Sequence, residues 1–230
     1  MTKIYVIGIG YKPFDERTKE IIFNSEIILA SYRLVEVFKR YEEFVIVKDK
    51  VMVIDSVDET INFIQLKLQT PNLEPRTIIT LLASGDPMFF GIGRRIINEF
   101  GKDIVEILPD LSSVQIAFSR IKEPWDDAFL MSLHRGPDPT KRRKLEYELK
   151  DIPLLLQRYK KIAILTDREN NPTKIAKFLH SSPVTHQQQL KIYVCEKLGY
   201  PDEKVTGGKL DDIAAMSFSD PNVVIIIQKK

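Results

Sequence analysis

Thr77-Ile78-Ile79-Thr80-Leu81-Leu82-Ala83-Ser84-Gly85-Asp86-Pro87-Met88-Phe89-Phe90-Gly91-Ile92-Gly93-Arg94 is the stretch on which the fold turns. Residues 77–83 are apolar almost throughout, the pattern of a strand covered on both faces. Gly85 permits a backbone conformation that other residues avoid, and Pro87 restricts Asp86 to extended geometry. A helix is expected over 95–100. Strand, glycine turn and helix in this order belong to α/β proteins, whose open sheets take ligands at the C-terminal ends of their strands. Asp86 stands at such an end. Its carboxylate either accepts hydrogen bonds from a ligand's hydroxyls or amine, or caps the next helix, and both readings stay open.

Similar units lie on either side. Strands are expected over 4–9, 27–30, 104–108, 129–132, 162–166, 190–196 and 223–228, with helix-length amphipathic segments between many of them. Ser56-Val57-Asp58-Glu59 reads as a capping box, followed by Val57, Ile61, Ile64 and Leu68 at helical spacing. Asn171-Pro172 reads as a helix cap with proline in the first turn, and Ile175, Ala176 and Leu179 supply that helix's apolar side. The texture changes over 109–125, after which come a basic segment and a hairpin-like stretch at Tyr200-Pro201-Asp202-Glu203. Two α/β domains are therefore expected, 1–110 and 111–230, each with a mixed or parallel sheet. With no long linker between them, a cleft between the two is the favoured place for a small molecule.

Three more loops carry candidate chemistry. The first strand ends in Gly8-Ile9-Gly10-Tyr11. The dinucleotide fingerprint needs a third glycine where Pro13 stands, and no acidic residue closes a second strand as that fold requires. Leu108-Pro109-Asp110-Leu111-Ser112-Ser113 places two hydroxyls at a helix start, where capping accounts for only one. His134, in Ser132-Leu133-His134-Arg135-Gly136, is either a base or substrate contact, or a satisfied loop histidine. Lys141-Arg142-Arg143-Lys144 reads as a solvated charge run or as a contact for a carboxylate-rich substrate.

Composition narrows the classes. The 230 residues are 43% hydrophobic, enough for a substantial core, and the net charge of +2 lacks the basic bias of a nucleic-acid-binding domain. The single cysteine, Cys195, sits in an apolar run and reads as a small buried hydrophobe. His180 and His186 have no metal-ligand spacing and read as surface residues. Neither a signal peptide nor an apolar run of about 20 residues is present, so a cytoplasmic protein is expected.

Together these stretches resemble the tetrapyrrole methylase family along nearly the whole chain. Gly8-Ile9-Gly10 is similar to that family's first loop, Gly85-Asp86-Pro87 to its Gly-Asp-Pro loop, and 109–113 to its Pro-Gly-x-Ser-Ser segment. Within the family, the extended stretch 83–94, Pro124-Trp125-Asp126-Asp127-Ala128, residues 132–136, Leu165-Thr166-Asp167 with Asn171-Pro172, and Glu196-Lys197-Leu198-Gly199 resemble the CbiE-type carbon-5 corrin methyltransferases. Two departures stand out: Tyr11-Lys12 where the family usually has Pro-Gly, and Pro109-Asp110 where it has Pro-Gly.

The resemblance implies a homodimer that binds S-adenosylmethionine, releases S-adenosylhomocysteine and methylates a corrin precursor on the route to cobalamin. It assigns Gly10, Tyr11, Gly85, Asp86, Phe89, Ser112, Ser113 and Thr166 to the cofactor. Arg94 and Arg135 are assigned to the substrate's carboxylate arms, and His134 to proton removal. A separate CbiT-like methyltransferase/decarboxylase is the expected functional partner. Two rivals stand beside this reading. One is diphthine synthase, favoured by Gly10-Tyr11 followed by Asp15-Glu16-Arg17. The other is a non-catalytic ligand-binding module on the same fold.

Overall fold

The apolar run of the opening stretch forms β4 (Ile78–Ser84), which lies between two other strands with residues 79–83 buried. The computed structural model describes residues 2–69, 77–134, 145–183, 185 and 189–228. The chain divides into two compact units, Met1–Ser112 and Ser113–Lys230.

The first unit holds β1 (Lys3–Ile9), β2 (Ile27–Ala30), β3 (Val51–Val53), β4 and β5 (Val105–Leu108). Their order is β3-β2-β4-β1-β5 and every pairing is parallel. The connecting helices are α1 (Glu16–Asn24), α2 (Tyr32–Phe38), α3 (Glu43–Val47), α4 (Val57–Leu68) and α5 (Gly93–Phe100). Ile4, Val6, Leu29, Ile79 and Leu81 of the sheet pack with Ile61 and Ile64 of α4 and Ile96 of α5. At the start of α4 only half of the expected capping box forms. Ser56 Oγ accepts from Glu59 N–H at 3.4 Å, without the reciprocal bond from the Glu59 side chain. Val57 stays exposed in this first turn, and Thr60 takes the buried place, its hydroxyl donating to Ser56 O at 2.8 Å.

The second unit holds β6 (Ala128–Ser132), β7 (Lys161–Leu165), β8 (Leu190–Glu196), β9 (Lys204–Gly208) and β10 (Asn222–Gln228), in the order β6-β7-β10-β8-β9. Only β6 and β7 pair in parallel; the other pairings are antiparallel. Its helices are α6 (Ser113–Ile121), α7 (Ile152–Arg158), α8 (Pro172–Ser181) and α9 (Leu210–Ala214). Asn171 caps α8 as expected, its side chain accepting from Lys174 N–H at 2.9 Å with Pro172 in the first turn. Ile175, Ala176 and Leu179 are fully buried against Ile162, Val194, Val224 and Ile226.

Both sheets are as the patterning requires, and the strands not expected are β3 and β9. Both are edge strands with exposed residues, Met52 and Val53 in one and Lys204 and Val205 in the other. A strand paired on one side only, and covered poorly, has little reason to carry an apolar signature. The hairpin-like stretch at 200–203 is the connection between β8 and the antiparallel β9.

Candidate functional site

Register puts three loops side by side in the first unit. Ile9 pairs with Ser84 and Ile7 with Leu108, so the segments after β4, β1 and β5 leave adjacent parallel strands at the same sheet edge. Backbone bonds stitch them together: Gly85 N–H donates to Ile9 O at 3.0 Å, and Asp110 N–H to Gly85 O at 3.2 Å. The approach is close enough to demand glycine. A Cβ on Gly8 would lie 1.8 Å from Gly85 O, and one on Gly85 (φ +59°) would lie 2.7 Å from Leu111 O. Gly10, at φ +134°, is different: a Cβ there would meet nothing within 4 Å. Among the described residues, then, nothing crowds the Gly10 backbone, the geometry a ligand needs to approach main chain.

Asp86 does not cap α5. Its Oδ1 accepts from Met88 N–H at 2.8 Å in a tight turn, while α5 starts at Gly93 behind Ile92, which makes no side-chain cap. The other carboxylate oxygen of Asp86 has no donor among the described residues. Pro87 anchors the rest of the loop by accepting from Gly93 N–H at 2.9 Å. Phe90 sits at φ 54° and meets the Phe89 ring edge-on at 4.9 Å between centroids, which holds Phe89 in place. The Tyr11 ring lies over Gly85, with its Cε2 3.5 Å from the Cβ position. Arg94, in the first turn of α5, is exposed.

The amides at the end of β1 are already taken. Gly10 N–H donates to the Tyr41 hydroxyl oxygen at 2.8 Å, and Tyr11 and Lys12 N–H donate to Asp110 Oδ2 at 2.7 and 3.2 Å. Burial holds the Tyr41 phenol above its ordinary 10.0, so its oxygen accepts as a neutral hydroxyl. A glycine loop that binds phosphate does so through free N–H groups. These three are occupied, an independent reason against a nucleotide's pyrophosphate at this loop. Tyr41 and the Asp110 carboxylate were not among the expected site residues. No local pattern points from residue 41 to residue 10, because the partners lie 31 positions apart.

Ser112 is buried and ends the first unit; Ser113, half-buried, opens α6 and the second unit. In the second unit, Thr166 is 8% exposed and its hydroxyl donates to Asn222 O at 2.8 Å, with Asn222 Oδ1 also in reach. A ligand at this position meets main chain rather than a free hydroxyl. Beside it, Glu196 Oε1 accepts from Ser219 N–H at 2.7 Å, while its buried Oε2 has no partner among the described residues. His134 is exposed two residues past β6, its N–H donating to Ser132 Oγ at 3.3 Å. Arg135, the 141–144 run and His186 lie outside the described residues. His180 is exposed and bonds Asp211 at 2.7 Å. Cys195 is fully buried in β8. Burial, helped by the charge of Glu203, pushes its thiol up to about 12, so it is no nucleophile. Two clefts of about 640 and 650 Å3 are lined by second-unit residues, none of them expected at the cofactor.

Comparison with known proteins bears on the whole chain. The family described as Tetrapyrrole (Corrin/Porphyrin) Methylases matches residues 3–214. A Methanocaldococcus jannaschii protein named probable cobalt-precorrin-7 C(5)-methyltransferase is 28% identical over 222 residues, covering 94% of this chain and 93% of its own. Among solved structures, the precorrin-6Y methylase (cbiE) of Archaeoglobus fulgidus superposes with a TM-score of 0.67 at 21% identity, covering 100% of this chain and 98% of that one. A uroporphyrin-III C-methyltransferase of Thermus thermophilus, complexed with S-adenosylhomocysteine, gives 0.64 at 14% identity over 97% of this chain and 91% of that one. At these identities the structural likenesses establish the fold. Among the described residues, no helix is long and apolar enough to cross a membrane.

Proposed function

This chain belongs to the tetrapyrrole (corrin/porphyrin) methylases, and from that premise we propose that it transfers a methyl group from S-adenosylmethionine to carbon 5 of a corrin precursor in cobalamin biosynthesis. The observation that carries the reading is likeness over almost the full length of both chains to a protein named for that reaction. A part-length match would have left the second unit unaccounted for.

The first unit's strand ends suit the donor. S-adenosylmethionine, when bound, supplies an electrophilic methyl on a sulfonium, together with ribose hydroxyls and an ammonium but no phosphate. Gly10 and Gly85 let it approach main chain. The free oxygen of Asp86 accepts from a hydroxyl or the ammonium, and Phe89 and Tyr11 offer flat apolar surface. Ser112 and Ser113 are assigned to the donor as well, and Thr166 through its main chain. None of these residues needs to act as a nucleophile, because an electron-rich macrocycle brings its own. Their work is to orient, and orientation alone supplies about 7–11 kcal/mol in favourable cases. Carbonyl dipoles fixed around a positive centre add to that. His134 is assigned removal of the proton left after methyl transfer, and Arg94 and Arg135 the substrate's carboxylates.

Asp86→Ala tests the site. Calorimetry with S-adenosylmethionine should show affinity weakened about 10-fold, the worth of one charge-assisted hydrogen bond, with the unfolding midpoint unchanged. Equal affinity in variant and wild type would remove Asp86 from the site. Turnover tests the reaction: methyl transfer to a corrin precursor is expected, and none to a diphthine-type protein substrate. Tight donor binding with no transfer to any tetrapyrrole would leave a ligand-binding module instead.

A further inference from the structure

Four backbone N–H groups in the first unit end on two side chains, and for three of them that side chain comes from far along the chain. Asp110 Oδ2 accepts from Tyr11 and Lys12, and Asp110 Oδ1 accepts from Leu111 N–H at 2.7 Å. The Tyr41 hydroxyl accepts from Gly10. Both acceptors are themselves held. Asp110 is fixed by its own N–H on Gly85 O, and the Tyr41 ring stacks on Phe14 at 4.6 Å with Phe38 beside it. Residues 10–12 are thus gripped from two sides, by groups 31 and 98–99 positions away.

We propose that Asp110 and Tyr41 are positioning residues for the donor, setting the shape of the 10–12 loop in advance without touching the donor themselves. The proposal rests on the reading of that loop as one wall of the S-adenosylmethionine site. Loops carry their ordering cost into binding unless something orders them first. Gly10 is the point where the loop needs such help, since glycine restrains the chain least. A carboxylate on two consecutive amides selects one loop conformation, and a hydroxyl on the amide before them fixes the entry. Asp110 also bonds Gly85 through the backbone, so the same residue ties the 10–12 loop to the Asp86 turn. A shift in one is passed to the other. Because none of these contacts involves the reacting atoms, their loss should appear in donor affinity and not in the chemical step.

The test uses the full chain with four substitutions and two readouts: steady-state kinetics with calorimetry for S-adenosylmethionine, and site-resolved amide hydrogen exchange. In Asp110→Ala, the KM and Kd for S-adenosylmethionine should rise about 10-fold, kcat should stay within about 2-fold, and the Tyr11 and Lys12 amides should lose protection. Asp110→Asn keeps an oxygen acceptor and should recover most of the affinity. Tyr41→Phe keeps the stacked ring, and should deprotect Gly10 alone with a smaller rise in KM. Lys12→Pro deletes one N–H donor to Asp110 at a residue assigned no contact with the donor, and should cost affinity in the wild-type background but little once Asp110 is Ala. Lost protection with donor affinity unchanged would overturn the proposal, as would unchanged exchange in Asp110→Ala. If the wild-type chain binds no S-adenosylmethionine, the functional reading falls and this role falls with it. Unaltered donor affinity in the variants of a chain that does bind sinks the positioning role alone.

Discussion

The two units end their strands in opposite ways. In the first, the loops after β4, β1 and β5 bring backbone to backbone, with glycines where side chains would collide and one glycine, Gly10, facing open space. In the second, the strand ends carry polar side chains turned onto each other: Thr166 on Asn222, Asn222 Nδ2 on Ser219 O at 3.0 Å, Glu196 on Ser219 N–H. Thr166, Asn222 and Glu196 are all under 9% exposed. One edge is built of close backbone contacts; the other consumes its polar side-chain groups internally. Buried polar networks of the second kind specify a structure when every member is satisfied, and the Glu196 Oε2 orphan shows where this one is weakest.

The sharpest way to break that contrast is Gly8→Ala. Its methyl would fall on Gly85 O and Asp110 N, backbone atoms that cannot move without parting the strands. A loss of about 3 kcal/mol or more in denaturant unfolding is expected. A well-folded, fully stable variant would mean that the loops are not in close contact. Asn222→Ala comes next, at about 2 kcal/mol, because it strands partners in a buried network. Donor affinity should hardly change, since the network faces inward. Gly10→Ala should invert that pattern. Its strained φ costs about 1–2 kcal/mol with no clash to add, but the methyl enters the space assigned to the donor, so calorimetry should show the larger defect. If Asn222→Ala weakens the donor more than Gly10→Ala does, the two edges have been assigned the wrong roles.

The smallest effect should come from Glu203, which ties α6 to the connection before β9. The hydrogen bond from Arg120 is the main cause that holds its carboxyl below the ordinary 4.5. Burial opposes it, and the Gly199 N–H bond adds to it. A carboxyl depressed in the folded state stabilises the protein fully above its ordinary value, and the contribution is lost as pH falls through the lower folded value. Glu203→Ala should therefore be less stable than wild type at pH 7, by about 1 kcal/mol at most for a partly exposed pair. Urea titrations should show the gap closing as pH drops below 4.5. A gap that is constant down to acid pH would assign Glu203 a packing role only.

Much of this was legible in the chain. The central strands announced themselves by apolar runs, because a strand covered on both faces has no place for polar residues. The α8 cap at Asn171-Pro172 was equally plain, since capping is a local event settled within four residues. The edge strands β3 and β9 were not legible, being paired on one side and exposed. In the candidate site, the glycines and Asp86 stood out by type and position. The meaning of the two unusual positions did not. Asp110 reads in sequence as the loss of a flexible residue, and Tyr11-Lys12 as an altered loop. In space the first is the acceptor for the amides of the second, an exchange of flexibility for a bond that residues 98 and 99 positions apart do not declare.

By itself, then, the amino-acid sequence determined the α/β class and the central strands, because those follow from short-range periodicity, and it singled out the glycine loops as candidates through residues whose backbone freedom is special. Tertiary structure alone decided which amides at the end of β1 are already bound, that Asp86 closes a turn rather than a helix, and that Thr166 spends its hydroxyl on Asn222. The first and the last depend on register between strands distant in the chain, and register is set only when the sheet has packed its core; the second is a local choice between two partners that residue type alone left open.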